Sequence, residues 1–184
     1  MKSLRVSTPI SVSLFESTVS LIKSIDTTVV RLTSWVVAFL TLLMSAVVVA
    51  GVFFRYVLND GLPWVEELAR YSMIWLSWLG GGLAIRKGAH ISVDFVVDSL
   101  GPRSRFFLVL VGRLLVLGFL GVCIVLGAEL TSRVSMQSTI ALGISMQIPY
   151  SAIPIGSVLM VYHLLIVMFC PWARVQSGST EYQV

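Results

Sequence analysis

Charge is what this chain has least of. Only 12% of its 184 residues are Asp, Glu, Lys or Arg, where a soluble domain carries roughly a quarter, so composition alone implies a membrane protein. Histidine and cysteine are scarcer still. His90 belongs in a loop and His163 inside a helix, which excludes a haem held by two axial ligands at matched depth; His163 is expected to pack toward another helix and hydrogen-bond across the interface. Cys123 and Cys170 fall at different membrane depths, too far apart for a bridge, and are small packing residues. No Cys, His or carboxylate cluster has ligand spacing. Neither an enzyme nor a cofactor is expected. Internal repeats, the mark of many secondary carriers, are also missing.

Long uncharged runs are what the chain has instead. Leu32 to Phe54 gives 23 residues without a charge, enough to cross roughly 30 Å of hydrocarbon at about 1.5 Å per residue. Three more spans are expected at about 64–85, 106–128 and 149–172, giving an all-α membrane protein with a four-helix domain over 32–172 and a disordered tail over 173–184. The first span has no ionisable residue, and Arg113 in the third is placed to snorkel or to meet a partner's carboxylate. A self-sufficient ion pump is therefore disfavoured.

Lys and Arg set the orientation. Nine of them fall in the amino-terminal tail, the second loop and the carboxyl tail, against three in the first and third loops. The positive-inside rule then places both termini in the cytoplasm. The net charge of +4 is thereby explained without a nucleic-acid partner.

Residues 1–31 lack the continuous apolar core of a secretory signal. On a helical wheel Leu14, Phe15, Val19, Leu21, Ile22, Ile25, Val29 and Val30 share one half, opposite Glu16, Ser17, Ser20, Lys23, Ser24 and Thr27, with only Asp26 intruding. This predicts an amphipathic interfacial helix on the cytoplasmic surface, followed by a turn into the first span.

The densest pattern runs from Phe54 to Asp94. Asn59, Asp60 and Gly61 supply a turn and Pro63 opens the next helix. Glu66 and Glu67 then stand four and three residues before Arg70, at spacings that pair along a helix. Trp64 belongs at the interface, and the cluster either anchors the helix or contacts another helix or subunit. Glycines 80, 81, 82, 112, 118, 121 and 127 allow close helix approach.

The order of these features resembles the small membrane subunit of the tripartite ATP-independent periplasmic (TRAP) transporters. The likeness lies in FFRYVLND closing the first helix, WVEELAR opening the second, GGGLAIRKGAHISVDF crossing into the next loop, and ALGISMQIPYSAIPIG entering the fourth. Family members often carry proline and tryptophan where this chain has Ser145 and Gln147. The resemblance implies a bacterial inner-membrane scaffold subunit paired with a large sodium-coupled transport subunit and served by a periplasmic binding protein that delivers an organic acid, such as a C4-dicarboxylate or sialic acid. By residue it implies partner contacts at Arg55, Trp64, Glu66, Glu67 and Arg70 on one side and at Arg86, Gly88, His90 and Asp94 on the other. Arg86, Lys87 and His90 are alternatively placed for anionic lipid headgroups. The small subunit of tripartite tricarboxylate transporters is the nearest alternative.

Overall fold

The computed structural model describes residues 10–86 and 102–169, and every named element in them is a helix: α1 (Ile10–Val57), α2 (Pro63–Arg86), α3 (Pro102–Arg133), α4 (Gln147–Tyr150) and α5 (Ala152–Phe169). By length and composition α1, α3 and the α4–α5 segment each contain a stretch apolar enough to cross a membrane. These are three of the four expected spans; α2 occupies the stretch of the expected second one. Its 24 residues reach about 36 Å, but Glu66, Glu67, Arg70 and Arg86 make it more polar than the other three.

α1 is 48 residues long, roughly 72 Å, far more than the hydrocarbon needs. Residues 10–50 contain neither glycine nor proline, so nothing interrupts the helix, and the turn expected between a surface helix and the first span does not form. Instead the amphipathic segment continues straight into the apolar one. Thr27, Thr28, Ser34, Thr41 and Ser45 donate their hydroxyls to the carbonyls four residues back, which satisfies them without water. The helix ends as its sequence directs. Asn59 takes the left-handed conformation at φ 50, and the Asp60 N–H donates to the Phe54 carbonyl at 3.1 Å, a closure one residue longer than the Schellman bond. Pro63 then begins α2, where its missing N–H costs nothing.

The helices pack as an open row. α1 lies on α2, α2 on α5, and α5 on α3, while α1 and α3 make no substantial contact with each other. On α2 the buried positions Val65, Ser72, Leu79 and Arg86 recur every seventh residue, the spacing of a continuous packing seam. α2 and α5 run parallel, since Gly156 meets Trp78 and, further along, Gly82 meets His163. The outer helices keep broad apolar faces open, including Trp35, Phe39 and Val49 on α1 and Leu115, Phe119 and Val125 on α3.

Small residues set the close approaches, though at different positions from most of those expected. A Cβ on Gly156 would stand 2.5 Å from the Trp78 Cβ, and one on Gly127 2.9 Å from Ile153 Cγ2. Gly81 faces Met160, and Gly51 faces Val65. Around Gly80, Gly112, Gly118 and Gly121 there is open space, so these four are not seam residues in this chain. The reason is the row itself: most of α3 faces outward, and only its Leu120 and Gly127 side reaches α5.

Gly156→Val is expected to wedge α2 from α5 and cost about 1–3 kcal/mol, the usual range for overpacking, read as a lower unfolding midpoint in detergent. Gly118→Ala should unfold no earlier than the unmodified chain. A Gly156→Val protein as stable as the parent would contradict the seam.

Candidate functional site

The polar side chains collect at the two ends of the row. At the end holding the α1–α2 turn, Glu67 on the first turns of α2 reaches the loop between α3 and α4. That loop is a small hairpin. The Thr139 N–H donates to the Ile144 carbonyl at 2.8 Å, the Met146 N–H donates to the Gln137 carbonyl at 2.8 Å, and Gly143 supplies the left-handed residue at φ 66. Its tip leaves three consecutive N–H groups aimed the same way. Those of Ile140, Ala141 and Leu142 donate to the Glu67 carboxylate at 3.2, 3.0 and 2.8 Å. The Tyr71 hydroxyl adds a fourth bond at 3.1 Å. A carboxylate accepting from a concave run of backbone amides is an anion nest, here filled by the protein itself.

Clamped in this way, the loop displays apolar side chains outward. Met136 is 96% and Ile140 98% exposed.

The neighbouring charges pair differently from the expected in-helix arrangement. Glu66 accepts from Arg55 across the α1–α2 turn at 3.4 Å, both side chains largely exposed. Arg70 takes neither Glu66 nor Glu67 and makes no ion pair among the described residues. Trp64 is 38% exposed beside them. The last turn of α1 and the first turns of α2 therefore bring Arg55, Trp64, Glu66, Glu67 and Arg70 to one end, as the sequence implies, but Glu67 binds backbone rather than arginine.

The opposite end holds a buried ion pair. Arg86 closes α2 and donates through Nη2 to Asp26 Oδ2 at 2.5 Å, with the two side chains only 5% and 2% exposed. The Tyr162 hydroxyl of α5 reaches the other carboxylate oxygen at 3.5 Å, so one contact joins α1, α2 and α5. This corrects the placement of Arg86 as a surface contact for a partner or for lipid headgroups. It also explains Asp26, which breaks the apolar half of the wheel because it turns inward to an arginine. His163 is fully buried next to Tyr162, with ring centroids 5.3 Å apart. It packs against Gly82 as expected of a residue facing another helix, yet neither ring nitrogen has a hydrogen-bond partner among the described residues. Lys87, Gly88, His90 and Asp94 lie outside the described residues.

Two functional features are not legible in the sequence alone. The Glu67 receptor consists of backbone amides, which carry no side-chain identity; only Gly143 and the small residues around it mark a tight loop. The Asp26–Arg86 pair spans 60 positions, and its one local sign is the charge on an apolar face.

Comparison with known proteins assigns this geometry a context. Residues 44–174 match the family model of the tripartite ATP-independent periplasmic transporters, DctQ component. The chain is 36% identical over 111 residues to the sialic acid TRAP transporter small permease protein SiaQ of Vibrio cholerae, covering 60% of this chain and 64% of that protein. It is 32% identical over 114 residues to the C4-dicarboxylate TRAP transporter small permease protein DctQ of Rhodobacter capsulatus, covering 59% of this chain and 48% of that one. These matches thus span about half to two thirds of the relatives' lengths. A third match, 26% identical over 135 residues, is to the sialic acid TRAP transporter permease protein SiaT of Haemophilus influenzae, and covers 73% of this chain but only 22% of that protein.

Replacing Glu67 by Gln should free the loop, so that the amides of Ile140, Ala141 and Leu142 exchange with solvent at least several-fold faster, a local opening readable by hydrogen exchange. Exchange at the original rate would show that the carboxylate does not hold the loop. Asp26→Leu should cost about 3–5 kcal/mol by taking a carboxylate partner from a buried guanidinium, and Asp26→Leu with Arg86→Met should recover part of that loss. Unfolding midpoints of the single and double variants test the pair, and equal losses would contradict it.

Proposed function

The chain belongs to the DctQ component family of the tripartite ATP-independent periplasmic transporters, and from that premise we propose that it is the small scaffold subunit of a TRAP transporter. It sits in the bacterial inner membrane with four spans and both termini in the cytoplasm, beside a large subunit that carries substrate and sodium ions. A periplasmic binding protein delivers the substrate, an organic acid such as a C4-dicarboxylate or a sialic acid. The observation that carries this reading is the open row: α1 packs mainly on α2, α3 packs on the α4–α5 segment, and both leave wide apolar faces exposed.

Two further points support it. The excess of Lys and Arg in alternate loops orients the α1–α2 turn and the Glu67 loop toward the periplasm, where Trp64, Met136 and Ile140 then form a contact surface at the membrane edge. The match to about a fifth of SiaT, itself named a TRAP transporter permease protein, suits a chain that works beside a larger permease. The family match favours this reading over the tricarboxylate system.

Copurification tests the partnership and reconstituted uptake tests the role. The chain should extract with a large membrane protein and support uptake only with that protein and the binding protein present. Glu67→Ala should lower uptake while leaving the binding protein's substrate affinity unchanged. Uptake by this chain alone, or wild-type uptake with Glu67→Ala, would overturn the reading or its docking surface respectively.

A further inference from the structure

At the α1–α2 turn end a cleft of about 760 Å³ opens between the two helices, lined among others by Val48, Val52 and Ala69 and by the charged Arg55, Glu66 and Arg70. Its size falls in the range of small-molecule sites, about 300–1,000 Å³. Its depth in the membrane follows from the antiparallel contact of Gly51 with Val65. Arg55 lies four residues beyond Gly51 toward the turn, roughly 6 Å, and Arg70 five residues beyond Val65 in the opposite direction, roughly 7.5 Å. The two arginines therefore enter the cleft from opposite ends of its length. Val48 and Val52, which share its wall, are 44% and 53% exposed on the outward face of α1.

Arg70 poses a physical problem at that position. It is exposed, its backbone is at the depth of apolar outward-facing residues, and no described acid neutralises it. An unpaired cation is costly in that setting unless its long side chain rises to meet an anion. The anion that a bilayer supplies at this level is the phosphodiester of a phospholipid. Guanidinium groups bind phosphate oxygens in a two-pronged geometry, and Glu66, with 72% of its side chain exposed, stands where it can accept from a headgroup ammonium.

We propose that this cleft is a phospholipid site, with the headgroup phosphate held by Arg70 and Arg55, an ethanolamine ammonium directed to Glu66, and an acyl chain lying along Val48 and Val52. The charge pattern, two guanidiniums and one carboxylate, complements a zwitterionic phosphoethanolamine group. The polar mouth and apolar wall also match the polarity of a lipid read along its length. This assigns Arg55, Glu66 and Arg70 to lipid and leaves protein contacts to the neighbouring loop. It depends on α1 and α2 lining the bilayer, not on which partner the chain serves.

The full chain in a mild detergent is titrated with phosphatidylethanolamine, and bound lipid is counted by native mass spectrometry. The unmodified protein should retain one lipid. Arg55→Gln with Arg70→Gln should weaken retention about tenfold, as expected for losing charge-assisted contacts. Val52→Trp, which fills the wall and keeps every charge, should also lower it, so the result does not rest on one variant's folding. Arg133→Gln, at an exposed pair outside the cleft, should retain lipid normally. Diacylglycerol with the same chains should be held at least about tenfold more weakly, because it lacks the phosphate. Equal retention by the parent and the double arginine variant, or of diacylglycerol and phosphatidylethanolamine, would overturn the proposal. So would capture of a polypeptide rather than lipid by a photoreactive group at Val52 in native membranes.

Discussion

Hydrocarbon offers no water to a polar side chain, and the whole arrangement of this protein follows from that constraint. Directional polar fastenings between helices sit at the two ends of the row, and close packing does the work between them. Glu67 and Arg86 are 19 positions apart on α2, about 28 Å along the helix, close to one hydrocarbon thickness. One end is closed by a carboxylate on three backbone amides. The other is closed by an ion pair that joins α1 and α2, with Tyr162 of α5 at its edge. Between them the seam is made by Gly51, Gly81, Gly82 and Gly156, whose missing side chains admit Val65, Met160, His163 and Trp78. Lipid tails are as apolar as leucine, so such close contact, with the surface clasps, is what selects one packing over another.

Much of this could be read from the residues. Uncharged runs locate α1, α3 and α5, and Asn59 to Pro63 specify the turn because each residue has a distinct local role. The gathering of Arg55, Trp64, Glu66, Glu67 and Arg70 toward one end of the row also follows from their spacing. What the residues do not reveal is which partner each charge takes. Glu66 and Glu67 both have Arg70 at helical spacing, yet one prefers Arg55 across a turn and the other a loop more than 70 positions away. Helical spacing permits a pair; it does not outweigh three amides already pointing at the site. Similarly, glycine spacing marks where helices can approach, but neighbours decide where they do, and Gly118 and Gly121 face open space.

The buried His163 and Ser157 are the other places where local rules and fold diverge. Both are completely enclosed on α5 with no protein hydrogen-bond partner for their side-chain polar atoms among the described residues. Both lie on the packed side of the helix, and His163 stands beside Tyr162 and Gly82 of α2. α2 and α5 hold the frame, and α1 and α3 offer it to their surroundings.

The central claim is that those outer faces meet another membrane polypeptide. Site-specific photocrosslinking in native membranes tests it most directly, with a benzophenone side chain placed in turn at Phe39 on α1, Phe119 on α3, and Leu120, which is 2% exposed and turned toward the packed side of α3. The account predicts an adduct with a large membrane protein from Phe39 or Phe119 and none from Leu120. Adducts only with lipid at both outer positions, or the same protein adduct from Leu120, would contradict it.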